Sequence, residues 1–123
     1  MRPVVLFCLI ALASSRVPAQ APVGTDVPAL ERDCATLVSR VHAPTKMEVV
    51  VPLVSLPATI KALKPVRVTV AEEGLYVSTQ RSAGRERGYF HLSSDTSAWR
   101  EWAHSSGFVL VEAQLYSYER KLP

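Results

Sequence analysis

A chain of 123 residues with 48% apolar composition is long enough for one hydrophobic core and too short for two independent domains. Its formal charge of +3 includes Arg2 and Arg16, and without the first nineteen residues it falls to 12 basic against 11 acidic side chains. No basic stripe of the kind that displaces counterions from nucleic acid, or that engages an anionic membrane, stands out in such a near-neutral chain.

Residues 1–19 read as a secretory signal peptide. Arg2 supplies the positive start, Val4 to Ala13 form an unbroken apolar stretch, and Val17 and Ala19 are the small residues a signal peptidase reads. Cleavage after Ala21 would place Pro22 directly behind the cut, so Gln20 is the expected mature start. The apolar run stops at Ser14, short of the roughly 20 residues a bilayer span needs, which leaves a retained anchor as the weaker alternative. Cys8 lies inside that run behind Phe7, which disfavours a lipid anchor. The expected location is secreted or periplasmic.

Only Cys34 then survives, so no disulfide can form within the mature chain. A small secreted animal domain would ordinarily carry several, which points to a bacterial protein that relies on its core. There is no asparagine, and therefore no N-glycosylation acceptor.

Residues 20–27 are small and proline-containing, and read as a flexible lead-in to a single domain over residues 28–123. From Pro28 to His42, Leu30, Cys34, Leu37, Val38 and Val41 make the stripe of an amphipathic helix. Pro28 suits its first turn and Glu31 its positive end. Met47 to Val54 is apolar and β-branched, a short strand interrupted or confined to an edge by Pro52. Ser55 to Lys64 reads as a short helix ended by Pro65.

Val66, Val68 and Val70 alternate with polar residues, as do Leu75, Val77 and Thr79. The two predict a β-hairpin turning at Glu72-Glu73-Gly74, with Gly74 in a left-handed position. Arg81, Arg85 and Arg87, interrupted by Glu86, read as a solvated hairpin loop, and Tyr89 to Leu92 as a third strand. Asp95 is expected to cap a helical turn reaching His104. Phe108 to Glu119 reads as one long strand with Val109, Val111, Ala113 and Leu115 facing the core. The expected fold is α+β: an N-terminal helix packed on a small antiparallel sheet, with a central hairpin and a long C-terminal strand.

Candidate chemistry is sparse. Cys34 sits on the apolar stripe of its helix, where a thiol is desolvated and unreactive. His42, His91 and His104 are scattered, without the spacing of a zinc site. The serines lack a nucleophile elbow, Glu72 and Glu73 are adjacent in a turn, and no glycine-rich phosphate loop exists. Leu56-Pro57-Ala58-Thr59 matches the core of a cell-wall sorting signal, but Ile60 replaces its glycine. No catalytic residue, metal ligand or cofactor is assigned.

The aromatic residues carry the binding expectation. Trp99 and Trp102, three apart, share one side of a helical turn, and Tyr116 and Tyr118 share one face of the last strand. Such rings with polar tips are favoured where a surface meets a partner; packing of the tyrosines beneath the tryptophan helix is the structural alternative.

The stretch LPATIKALKPVRVTVAEEGLYV resembles short exported bacterial proteins sharing the pattern LPxTIxxLxPxxVxVxxxGLYV. The resemblance implies a helix leading into a hairpin and brings no activity with it. The expected function is non-enzymatic: binding of an unknown protein or envelope partner, as an inhibitor, immunity-type or assembly protein, with no nucleic acid and no stable membrane insertion after cleavage. The alternative is a small hydrolase or ligand-binding enzyme using His91 with Asp95 or Glu112.

Overall fold

The computed structural model describes residues 20–122; the expected signal peptide lies outside them. Helix α1 spans Val27–Arg40, capped by Asp26, whose carboxylate accepts from Ala29 N–H at 3.1 Å. Strand β1 is only Val49–Val50, because Pro52 cannot extend a ladder, and a 3-10 turn (Leu53–Ser55) follows. Helix α2 is the single turn Ala58–Lys61. Strands β2 (Arg67–Val70), β3 (Gly74–Ser82) and β4 (Arg85–Leu92) form a meander. Helix α3 (Ser97–Ser105), β5 (Val109–Glu112) and β6 (Leu115–Lys121) complete the chain.

The six strands form one antiparallel sheet in the order β1-β2-β3-β4-β6-β5. The architecture is α+β. Side chains alternate across a strand, and here each side is a core. On one face, Val68, Val70, Leu75, Val77 and Leu115 pack under Leu30, Cys34 and Leu37 of α1 and Ile60 of α2. On the other, Tyr76, Phe90, Leu92, Tyr116 and Tyr118 pack with Phe108 under Trp99, Trp102 and Ala103 of α3.

Several local expectations are corrected. Phe108–Glu119 is two strands: Ala113, at φ 49°, turns the chain, and β6 inserts between β4 and β5. Val109 is consequently 47% exposed on the edge strand rather than in the core. Gly74 has a positive φ of 156°, backbone that favours glycine though far from an ideal left-handed turn, and a Cβ there would also lie 2.1 Å from the His91 carbonyl oxygen. The arginine-rich segment is paired strand rather than solvated loop, turning only at Ala83-Gly84, with Glu86 3% exposed. Thr96, not Asp95, caps α3 by accepting from Trp99 N–H, while Asp95 binds Arg100.

Gly88 is the tightest point. A Cβ there would meet the Val77 carbonyl at 1.9 Å and the Thr79 nitrogen at 2.9 Å, beside the irregularity in register between Ser78 and Gln80.

Candidate binding surfaces

Phe90, wholly buried, is the hub of the aromatic core, with ring centroids 4.7 Å from Tyr76, 5.3 Å from Phe108 and 5.6 Å from Trp102. Tyr116 and Tyr118 belong to this core, each 5% exposed, rather than to an outward patch. Trp99 and Trp102 are half-buried and meet edge to face at 5.7 Å. The geometry thus divides the four aromatics: the tyrosines hold the sheet to α3, and only the indoles retain surface.

Beyond the end of α3, the aromatic core is closed by ions. Glu86 accepts from Tyr118 Oη at 2.6 Å and from Arg120 at 3.1 Å, and lies 3.2 Å from Arg81. Arg120 also grips Glu48 bidentately at 2.7 and 3.0 Å, and its guanidinium lies 3.7 Å over the Tyr76 ring. In a flat sheet, β1 and β6 would be about 19 Å apart, four strand spacings, so an ion pair between their flanks shows that the sheet curls around the aromatic core. Burial works to raise the Glu48 carboxyl, but Arg120, with Thr69 and Arg67, outweighs it and holds the group below its ordinary value. Burial and then the hydrogen bonds to Glu73 and Glu86 drive the Tyr76 and Tyr118 phenols far up, so neither ionises.

The histidines do not converge. His42 and His104 are exposed. His91 is 4% exposed, with Nδ1 unpartnered among the described residues and Nε2 3.9 Å from Glu31. Burial depresses its pKa, partly offset by the Glu31 charge. Asp95 is an exposed partner of Arg100, and Glu112 is exposed on β5; no hydrogen bond or ion pair joins either to His91 among the described residues. Burial pushes the Cys34 thiol up to about 12, with Asp33 and Glu31 adding to the shift. No group of three histidine, cysteine or acidic side chains among the described residues is placed to hold a metal.

The surface that the sequence did not reveal is β5. Among the described residues it pairs only with β6, which leaves its other edge without a strand, and Val-Leu-Val-Glu contains neither the proline nor the lysine that commonly guards an edge. Val109 and Leu110 are each 47% exposed, one toward each face of the sheet. On the α1 face, Val109 borders an open groove of about 390 Å³ with Tyr89, Arg87, Ser117 and Glu119, where α1 leaves the sheet uncovered. On the other face, Leu110 lies opposite Tyr116, on the side of the sheet that packs under α3. An unbroken alternation through Ala113 hid the turn that makes β5 an edge.

Comparison with protein families, curated proteins and solved structures finds no match.

Proposed function

We propose that this chain is an exported, non-enzymatic protein-binding module that takes an extended segment of a partner onto the open edge of β5. The observation that supports the reading is a short apolar edge strand, free of a second strand among the described residues, with the Tyr89 groove on one face of the sheet and α3 with Trp99 and Trp102 on the other. Main-chain hydrogen bonds would supply affinity and the two flanks specificity, the logic of strand addition. The near-neutral charge imposes no preference for a polyanion.

The test is site-specific photo-crosslinking in the host envelope, with the reactive side chain at position 110 and, as control, at Ala35 on the exposed side of α1. A discrete adduct at 110, absent at 35 and lost in a Val109→Pro background, is expected. Equal labelling at both positions, or none at 110, refutes the assignment.

A further inference from the structure

Five of the eight large apolar side chains that stand exposed among the described residues fall in two short stretches at the opposite edge of the sheet: Met47, Val50, Leu53 and Val54, and Val66. The ladder brings the stretches together. Val50 pairs with Thr69 and Val51 N–H donates to the Val68 carbonyl at 2.8 Å, so the chain leaving β1 runs back past Val66 at the entry to β2. Val54, on the 3-10 turn, is 86% exposed. An apolar cluster of this kind marks a contact surface rather than the scatter of single residues normal on a protein.

The charge around it identifies the contact. Residues 46–67 hold Lys46, Lys61, Lys64 and Arg67 but only one acid, Glu48, whose carboxylate is occupied by Arg120. The three lysines are exposed, and none of the four cations takes part in an ion pair among the described residues. The rest of the chain from Gln20 has eight basic against ten acidic residues. The segment that carries the apolar side chains is thus itself cationic within a near-neutral chain; the acids packed against it from outside are Asp33, which accepts from Thr59 at 2.7 Å, and Asp26, which shares a groove with Ala58 and Ala62.

We propose that this end, formed by β1, the 3-10 turn and the loop from α2 into β2, docks on the surface of an anionic lipid bilayer. Met47, Leu53 and Val54 enter the boundary between headgroups and acyl chains, while Lys46, Lys61 and Lys64 lie on the headgroup phosphates, their stems following the apolar surface. No helix among the described residues is long and apolar enough to span a membrane, so the contact is peripheral. The proposal goes beyond the β5 reading and shares no residue with it.

The test uses the chain from Gln20 onward, which contains every element of both cores. It is sedimented with vesicles of phosphatidylglycerol and phosphatidylcholine in equal parts, and with phosphatidylcholine alone. Binding confined to the anionic vesicles and weakening as salt is raised is expected. Each lysine near an anionic surface contributes roughly fivefold, so the double substitution Lys61→Gln, Lys64→Gln should weaken partitioning about 25-fold. Val54→Ser should weaken it roughly tenfold. Both variants alter exposed side chains and should keep the wild-type melting temperature, while Leu110→Lys should bind vesicles like wild type. The proposal is overturned by absence of binding to anionic vesicles, by equal binding to both compositions, or by binding indifferent to these substitutions. It is also overturned by a dimer in sedimentation velocity that Val54→Ser disperses, which would give the patch to a second copy of the chain.

Discussion

Replacing Glu86 by alanine removes the acceptor on which the closed end of the aromatic core depends. Tyr118 Oη, buried with its ring, loses its bond to Glu86, an effect of about 1–3 kcal/mol that Ser78 Oγ, itself buried without a partner among the described residues, can only partly relieve. Arg120 loses one carboxylate but keeps Glu48, which adds about 1 kcal/mol. Arg81, whose side chain is 33% exposed, is compensated by water and adds little. Alanine no longer requires a desolvated carboxylate, a gain that offsets part of the loss. The expected net destabilisation is about 3 kcal/mol, at the low end for breaking a buried pair. In urea, with a slope of about 1.5 kcal/mol/M, the midpoint should fall by about 2 M at unchanged slope. Combining Glu86→Ala with Tyr118→Phe should reveal a coupling of about 1 kcal/mol, because both remove the same bond. A loss under about 0.5 kcal/mol, or strict additivity of the two substitutions, would refute this account of the network.

Gly88→Ala forces a Cβ against the Val77 carbonyl and should cost at least about 3 kcal/mol in the same titration, or prevent folding. Ala113→Gly relieves a left-handed backbone at φ 49° and should leave stability unchanged or raise it by up to about 1 kcal/mol, the turn strain outweighing the added freedom of the unfolded chain. Because folding depresses the His91 pKa, the unfolded chain takes up the proton first. Stability should therefore be complete above the ordinary imidazole value near 6.5 and fall as pH drops below it, by at most about 1.4 kcal/mol per pH unit. His91→Leu should flatten this dependence between about pH 6.5 and 5 in thermal melts. Cys34 should react with a thiol reagent at neutral pH about a thousandfold more slowly in the native protein than in denaturant.

The helix α1 and the β2–β3 hairpin were legible because their periods, 3.6 and 2, are sustained over enough residues to outweigh alternatives. The C-terminal hairpin was not. Phe108 to Leu115 keeps its alternation through Ala113, and nothing in an alanine announces a left-handed turn that glycine or asparagine usually occupies. Glu86 was read as solvated because a charged residue flanked by arginines in sequence resembles a loop; its burial depends on Tyr118 and Arg120, more than thirty residues later. Tyr116 and Tyr118 show the same limit, since a tyrosine in an alternating strand has the same pattern whether it faces water or a helix. The cationic apolar end was hidden by summing charge over the whole chain, although the run from Met47 to Val54 was already longer than the two-residue strand that could bury it.

The place of β6 in the sheet has a consequence for the order in which the molecule can assemble. Strand β6 lies between β4 and β5, β5 has no other neighbour among the described residues, and Arg120 and Gln114 tie this hairpin to Glu48 and Glu31, 72 and 83 residues away. Until β6 emerges, β4 has a vacant edge, Glu86 has no Arg120, and the aromatic core lacks two of its rings. Contacts that join such distant residues are costly to close early. A nascent chain is thus kept from locking into its native form until β6 has been made.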